Sequence, residues 1–370
     1  MLQRLYVHNF KCLENFELNL KDTSSALLIG KNGVGKSSVA RVLEILQQIA
    51  RGKNRMQDLA DDDVIGPKDF TRGRIDVPMR FEIEALLDGK FYRYVLALDL
   101  PARFTQLRVA EEQLSVGEKP IYSRKVAQVS LGNRDANFSL DWHLVALPII
   151  QEQSTTDPIH VFKTWLARMI ILAPIPTLMT GISKGETLEP RLDGSNFAEW
   201  SAGLLSQYPA AYSQIYDYLK EVIPDLSDFI NTQTGPDYKS MSVRFVKDKS
   251  RLSIEFNDLS DGEKVSFLCA TVDAANKFYG PLFCFWDEPD NFITLSEIGH
   301  FAFALRRTFQ SGGQIIVTSH NPEAIRTFSD ENTFVLDRKS HLEPTLVRLL
   351  REVAPAGDLI NALLRGDVQL

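Results

Sequence analysis

The sequence has few of the features that stabilise extracellular or membrane proteins. Its 370 residues include three cysteines, Cys12, Cys269 and Cys284, which are widely spaced. This spacing excludes a disulfide framework and a typical zinc site, so we expect buried free thiols in a reducing compartment. The apolar runs, such as Met169–Pro176, are far shorter than the roughly 18–20 residues that span a bilayer. The first residues also lack the apolar core of a signal peptide. We therefore predict a cytoplasmic protein without membrane contacts.

Strong positive charge and long repeats are also missing. The formal net charge is −7, so there is no global basic field of the kind that attracts nucleic acid, although this total is compatible with a local basic groove. No segment sustains a heptad pattern over several turns, which excludes a long coiled coil. The contents of 44% hydrophobic and 24% charged residues are typical of a globular protein. The length allows two domains, or one domain with a large insertion.

The patterns that are present predict an α/β protein. The alternating start of the chain pairs with Phe16–Leu20, a short apolar strand follows at Ser25–Gly30, and Ser37–Arg51 has the spacing of a helix. The Asp-Gly pair at 88–89 predicts an antiparallel hairpin between two further strands, whereas residues 52–74 are predicted to be a loop. Later segments are predicted as helices (Pro158–Ile171, Asn196–Val222, Ser260–Tyr279, Leu295–Gln310), a hairpin (Met241–Phe256) and apolar strands (Pro281–Trp286, Gln314–His320).

A glycine-rich segment, "GKNGVGKS", lies between the predicted strand and helix near the start of the chain. It fits the phosphate-loop pattern GxxxxGK[ST] as Gly30, Gly35, Lys36 and Ser37. Glycines allow backbone N–H groups to face phosphates, and a helix N-terminus adds partial positive charge. Lys36 would contact the terminal phosphates, and the Ser37 hydroxyl would bind Mg²⁺.

Two carboxylates follow a second apolar strand, in "LFCFWDEPD". A buried central strand would deliver Asp287 and Glu288 to its C-terminal edge. We predict that Asp287 holds Mg²⁺ through its water shell and that Glu288 orients or deprotonates the attacking water. A third apolar strand ends in Thr318, Ser319 and His320, and His320 is predicted to sense the γ-phosphate.

A further anion-binding pattern occurs in "LSDGEK", Leu259–Lys264, where a polar turn opens a predicted helix. Ser260 would also cap that helix, and this structural role is compatible with the same geometry. Because the chain contains a single phosphate loop, the phosphate for this second site would have to come from another molecule.

Together these motifs resemble the ATP-binding-cassette (ABC) ATPases, and more narrowly their RecF/SMC/OLD-like branch, the AAA family ATPases of bacterial defence and repair. "LSDGEK" is similar to the signature of that branch, "NFKCLENFEL" to its N-terminal strand pair and "DEPDN" to its extended Walker B motif. The resemblance implies an α/β ATPase head, in which a parallel sheet with the phosphate loop is joined by an antiparallel β layer. It divides the chain into an N-terminal head part (1–100), a mixed and then helical insertion (101–238) and a C-terminal head part (239–370).

The resemblance also implies the ligands and the partner. ATP and Mg²⁺ would be the cofactors, and Ser260, Gly262 and Glu263 would reach the ATP of a second copy, so that two copies enclose two ATP molecules or form a higher oligomer. The residues that would contact ATP in the phosphate loop are Gly30, Lys31, Asn32, Gly33, Val34, Gly35, Lys36, Ser37 and Ser38.

Some family features are not found in the sequence. The glutamine loop has only a poor candidate in Gln57, and the segment after Glu288 fits the family loosely, with Asp290 and Asn291 as its contributors. About fifty residues follow His320, too few for the Toprim nuclease domain of OLD proteins. The acidic run Asp61–Asp63 is expected to be a solvated loop.

The resulting hypothesis is an ATP-driven switch that gates a separately encoded effector, such as a Toprim-type nuclease, in anti-phage defence. One alternative is a RecF-like repair or recombination ATPase stimulated by DNA. The other is a nucleotide-gated scaffold with little turnover.

Overall fold

The chain divides into two units, which contain different parts of the predicted site. The structure is a computed structural model that describes residues 1–132, 136–328 and 332–353. One unit contains the described residues up to 169 together with 332–353, and we call it the phosphate-loop unit. The other contains residues 170–328, and we call it the carboxylate unit.

The secondary structure is mixed throughout. The strands are, in chain order, β1 (Leu2–His8), β2 (Phe16–Asn19), β3 (Ser25–Ile29), β4 (Met79–Leu87), β5 (Lys90–Asp99), β6 (Arg108–Val116), β7 (Lys119–Lys125), β8 (Gln128–Leu131), β9 (Ala136–Ser139), β10 (Ile170–Leu172), β11 (Ile182–Ser183), β12 (Leu226–Gly235), β13 (Tyr238–Lys247), β14 (Ser250–Glu255), β15 (Phe283–Trp286), β16 (Gln314–Ser319), β17 (Thr333–Asp337) and β18 (Leu346–Leu349). The helices are α1 (Lys36–Ala50), α2 (Met56–Asp61), α3 (Pro158–Ala167), α4 (Phe197–Gln207), α5 (Ala211–Val222), α6 (Asp261–Phe278), α7 (Leu295–Gln310), α8 (Pro322–Phe328) and α9 (Leu350–Val353).

The phosphate-loop unit contains an antiparallel sheet with the strand order β2-β1-β4-β5-β6-β7-β8-β9. The β4–β5 hairpin closes through Asp88 and Gly89, whose φ angles of 48° and 72° fit a two-residue turn that matches the sheet twist. Alternate residues of β4, Met79, Phe81 and Ile83, are fully buried. These alternate residues therefore bury one face of the strand, and the antiparallel hairpin is the one that the Asp-Gly pair predicted.

Charged side chains bind each other across this sheet around Glu82 of β4. Its carboxylate accepts hydrogen bonds from Arg93 (2.8 Å), Arg80 (2.7 Å) and Arg4 (3.2 Å). Burial acts to raise the pKa of Glu82, but the bonds and charges of the arginines, Arg93 first, outweigh it and lower the pKa to about 2. This cluster joins three neighbouring strands, β1, β4 and β5.

The same unit holds the strand and helix that flank the phosphate loop. β3 pairs in parallel with β17, with Leu27 opposite Thr333, and β17 pairs antiparallel with β18. Ala26, Leu27, Leu28 and Ile29 of β3 are all buried, as expected for a strand that is covered on both faces. α1 begins after the phosphate loop, so the order of strand, loop and helix is the one that the sequence predicted.

The carboxylate unit contains a parallel arrangement of β10, β15 and β16. Cys284 of β15 lies opposite Ile170 on one side and Ile315 on the other. Every residue of β15 is buried, and Trp286 makes an edge-to-face contact with Phe301 of α7 at 5.6 Å. A second, antiparallel sheet in this unit places β12, β11 and β14 against β13.

Some sequence-based predictions were wrong. Residues 52–74 were predicted to be a loop but include α2 and two short 3-10 turns. The predicted helix Pro158–Ile171 ends at Ala167, because the chain turns and enters β10 after only two intervening residues. The predicted helix Asn196–Val222 is two helices separated at 208–210, where Pro209 lacks the N–H of a continuous helix. Within the described residues, no helix has both the length and the apolar character to cross a membrane.

Candidate functional site

The phosphate loop is shaped by glycines with positive φ. Gly33 has φ 80° and Gly35 has φ 106°, in the left-handed region that favours glycine. Gly35 immediately precedes α1, and its carbonyl accepts hydrogen bonds from Ser38 N (3.0 Å) and Val39 N (3.2 Å). The loop therefore leads straight into a helix N-terminus, which is a favourable place for an anion.

Close neighbours also require glycine in this loop. A Cβ at Gly30 would lie 2.4 Å from the carbonyl oxygen of Leu336 in β17. A Cβ at Gly35 would lie 2.6 Å from the Cys12 sulfur, in the segment that follows β1. The sequence pattern explained these glycines by the approach of phosphate, and the structure adds the approach of the protein itself.

Lys36 is held inside the loop. It is 5% exposed, and its Nζ donates to the carbonyl oxygens of Gly30 (2.9 Å) and Lys31 (3.4 Å). Lys31, Asn32, Gly33 and Ser37 are exposed, and Val34 is buried. A buried ammonium group beside exposed backbone and a hydroxyl fits a phosphate chain with its metal ion.

In the carboxylate unit, the carboxylates that follow β15 pair with the polar run that ends β16. The Thr318 hydroxyl donates to Asp287 Oδ1 and accepts from the backbone N–H of Glu288 at 2.9 Å. His320 Nδ1 lies 3.0 Å from Glu288 Oε1. The structure thus brings Asp287, Glu288 and His320 together, three of the residues that the sequence singled out.

Glu288 occupies an unusual backbone conformation. Its φ of 48° and ψ of 54° are left-handed, which is uncommon for a residue with a side chain and frequent at functional sites. Besides the contact with His320, Oε2 accepts a hydrogen bond from Asn291 Nδ2 at 3.0 Å. The carboxylate is therefore fixed by a donor or ring nitrogen at each oxygen, while a quarter of the side chain remains exposed.

Asp290, named above as a contributor to the segment after Glu288, is deeply buried. It is 3% exposed, its Oδ2 accepts a hydrogen bond from Ser319 Oγ (3.0 Å), and burial raises its pKa. Ser319 Oγ also accepts from Asn321 N at 3.0 Å. Asp290 therefore supports the turn that carries His320, a role that its loose fit to the family pattern did not indicate.

The signature turn forms a capping box at the start of α6. Ser260 Oγ accepts from Glu263 N (3.4 Å), and Glu263 Oε2 accepts from Ser260 N (2.8 Å) and Ser260 Oγ (2.7 Å). A Cβ at Gly262 would lie 3.0 Å from the carbonyl oxygen of Phe292. In the structure, Ser260 therefore caps α6, whereas contact of this turn with a nucleotide stays a prediction.

The weaker candidates have ordinary surface roles. Gln57 lies on α2, where its side chain is exposed and donates to Asp61. Asp62 and Asp63 pair with Lys53 and Lys68. Among the side chains that the structure describes, no group of three or more His, Cys, Asp or Glu residues is arranged to hold a metal ion.

Comparisons with known proteins agree with the motifs. Residues 1–131 match the family described as the AAA ATPase domain. The fold is similar to an SMC head bound to the C-terminal winged-helix domain of ScpA, with 13% identity, a TM-score of 0.56 and coverage of 95% of this chain and 98% of the other. It is also similar to an SMC head with an extended coiled coil, bound to the C-terminal domain of ScpA derived from Pyrococcus furiosus (12% identity, TM-score 0.52, coverage 95% and 97%). No curated protein sequence matches the chain. The predicted α/β head fold is therefore confirmed, and the match over residues 1–131 agrees with the predicted resemblance to ATPases.

Proposed function

We propose that this chain, which has an AAA ATPase domain in a head of the SMC fold, is a switch that binds ATP, hydrolyses it and changes its association with a second copy. The observation that carries the proposal is the environment of Glu288. Thr318 holds the left-handed backbone of Glu288, and Asn291 and His320 contact its two carboxylate oxygens. A carboxylate fixed in this way is suited to receive a proton from an attacking water.

The other residues act around this step. Lys36 and the amides of Gly30–Ser38 would bind the phosphates of ATP, and His320 would contact the γ-phosphate. Ser37 and Asp287 would hold Mg²⁺, which when bound neutralises charge on the phosphates. The exposed Ser37 hydroxyl and the Asp287 carboxyl are oxygen donors of the kind that Mg²⁺ prefers.

The partner in the switch is a second copy of the chain. Ser260, Gly262 and Glu263 would complete the ATP site of that copy, because the exposed N-terminus of α6 presents N–H groups and the partial positive charge of a helix. For ATP to convert a rare closed state into the dominant one, it must favour closure by roughly 5 kcal/mol. Two enclosed nucleotides offer two sets of charged contacts for this purpose.

The output of the switch is conformational. We propose that the 101–238 insertion contacts a separately encoded effector. We also propose anti-phage defence as the setting, and both proposals follow from the resemblance to defence ATPases. A Toprim-type nuclease is the effector class that this resemblance suggests. DNA-stimulated turnover would instead favour a RecF-like role, and it is measured with the same purified protein.

Glu288→Gln tests the hydrolytic role. The variant should bind ATP but lose at least about 100-fold in turnover, within the range expected for loss of a general base. Light scattering with ATP and Mg²⁺ should show it as a stable dimer or higher oligomer. Glu118→Gln, at an exposed glutamate in the β6–β7 turn, is the matched control and should behave as wild type. Unchanged turnover in Glu288→Gln would refute the assignment.

A mixing experiment tests the shared site. Lys36→Ala and Ser260→Arg should each be inactive alone. In an equal, random mixture of the two variants, half of the dimers are heterodimers. If each ATP lies between a phosphate loop and the partner's signature turn, each heterodimer has one intact site of its two. Activity should therefore return to about a quarter of wild type. A site formed within one chain predicts no recovery.

A further inference from the structure

A residue near the C-terminal end of the described chain holds the phosphate loop. Thr345 lies between β17 and β18 and is 2% exposed. Its hydroxyl donates to the carbonyl oxygen of Val34 at 2.7 Å, and its backbone N–H donates to the carbonyl of Cys12 at 3.0 Å. Thr345 thus joins three segments that are far apart in sequence: the turn after β1, the phosphate loop and the C-terminal hairpin.

The contact with Val34 falls on the peptide that precedes Gly35. The peptide unit is planar and trans, so its carbonyl and its N–H point in opposite directions. A hydroxyl that binds the Val34 carbonyl therefore directs the Gly35 N–H away from the hairpin. Gly35 adjoins Thr345 so closely that a Cβ there would lie 3.3 Å from the Thr345 hydroxyl. Because Val34 is buried, water is a poor substitute for this donor.

The segment that carries Thr345 is itself well anchored. The Arg338 guanidinium donates to the carbonyls of Glu343 (2.8 Å) and His341 (2.5 Å), and Arg72 donates to the carbonyl of Leu342 at 2.6 Å. An anchored support can impose its geometry on the loop, whereas a mobile one would adapt to it.

We propose that Thr345 is a positioning residue for nucleotide binding, which presets the Val34–Gly35 peptide of the phosphate loop. The inference rests on the proposed binding of ATP at Gly30–Ser38 and adds the C-terminal hairpin to that site. It also implies reciprocity: a bound nucleotide stabilises residues 338–349, because the two ends of one contact stabilise each other.

Thr345→Val removes the hydroxyl and keeps the shape of the side chain, and Thr345→Ser restores the hydroxyl. Thr23→Val is the matched control, since Thr23 is also buried in this unit and its hydroxyl donates to the carbonyl of Lys21 at 3.2 Å. We expect Thr345→Val to weaken the Kd for a fluorescent ATP analogue about tenfold or more, as loss of a buried hydrogen bond allows. KM for ATP should rise with little change in kcat, Thr345→Ser should restore binding, and Thr23→Val should bind as wild type.

The outcomes separate the two proposals. If wild type does not bind the analogue, ATP binding itself is wrong. If wild type binds and Thr345→Val binds equally well, with only a lower Tm, Thr345 is a structural residue and this inference is refuted. Should Thr345→Val fail to fold, hydrogen exchange of wild type decides: ATP must slow exchange in residues 338–349, and must not do so in Lys36→Ala. Unchanged exchange there would also overturn the proposal.

Discussion

Thr318→Val is the sharpest test of how Asp287 and Glu288 are held in place. The Thr318 hydroxyl makes two contacts at once, as donor to Asp287 and as acceptor from the backbone N–H of Glu288. Thr318 is fully buried and Asp287 is 9% exposed. Valine has nearly the same shape as threonine, so the substitution removes the hydroxyl without opening a cavity.

The size of the effect follows from these two bonds. Leaving one buried polar group without its partner costs about 1–3 kcal/mol, so two lost partners cost about 2–4 kcal/mol of folding free energy after partial relaxation. Activity should suffer separately, because the left-handed conformation of Glu288 loses one of its restraints. A loss of 1.4 to 2.7 kcal/mol in transition-state stabilisation is about 10- to 100-fold in kcat, which is our expectation.

The assay is steady-state ATP hydrolysis together with thermal unfolding. Thr271→Val is the control, since Thr271 is fully buried in the same unit and its hydroxyl donates to the carbonyl of Phe267 at 2.8 Å. Both variants should lower Tm, but only Thr318→Val should lower kcat, with the Kd for ATP nearly unchanged. Equal kcat values in the two variants would refute the reasoning, because Thr318 would then be part of the packing and nothing more.

Two further predictions concern the phosphate-loop unit. Gly35→Ala should abolish nucleotide binding and lower Tm by more than Gly52→Ala does. The two residues have similar φ angles (106° and 109°), but only at Gly35 would a Cβ lie against Cys12. Equal Tm losses in thermal unfolding would contradict this. Glu82→Gln tests the depressed pKa of Glu82. A carboxyl whose pKa is lowered in the folded state adds to the free energy of unfolding at pH values above its unfolded pKa, near 4.5. This contribution is lost as the pH falls towards 2, the pKa in the folded state. The full shift corresponds to about 3 kcal/mol, which partial exposure of the arginines reduces to about 1–2 kcal/mol at pH 7. Urea unfolding should show this difference at pH 7 and a smaller one at pH 3, and a difference independent of pH would exclude the linkage.

Much of the phosphate-loop unit could be predicted from local pattern. A strand, a glycine-rich turn and a helix occur within about twenty-five residues, and each has its own signal in composition or period. The same holds for the β4–β5 hairpin, which Asp88 and Gly89 specify. β12 could not be predicted in this way, because its sequence, LSDFINTQTG, is polar and its pairing with β13 supplies the stability that its own residues lack.

The contacts that hold the site residues in place could not be predicted from local sequence patterns. Thr345 is separated from Val34 by 311 positions, and its own surroundings, between two short strands, carry no sign of the contact. Lys36 was assigned to phosphate, and the carbonyls of Gly30 and Lys31 that hold it are backbone atoms present in any sequence. Contacts with backbone atoms require no particular residue type at the accepting position. Sequence patterns therefore indicate the functional side chain but not the backbone groups that hold it.

The pairing of carboxylates with the Thr-Ser-His run shows how far topology can replace such a signature. β15 and β16 are parallel with Trp286 opposite Val317, so Asp287 comes beside Thr318 by register alone. One residue further, the left-handed backbone of Glu288 turns the chain, and the neighbouring pairs cross: Glu288 contacts His320, whereas Asp290 contacts Ser319. A straight continuation of both strands would have matched Glu288 with Ser319 and left His320 without this carboxylate. The conformation of one residue therefore decides which side chain faces the histidine, and a register derived from sequence would have assigned the wrong partner.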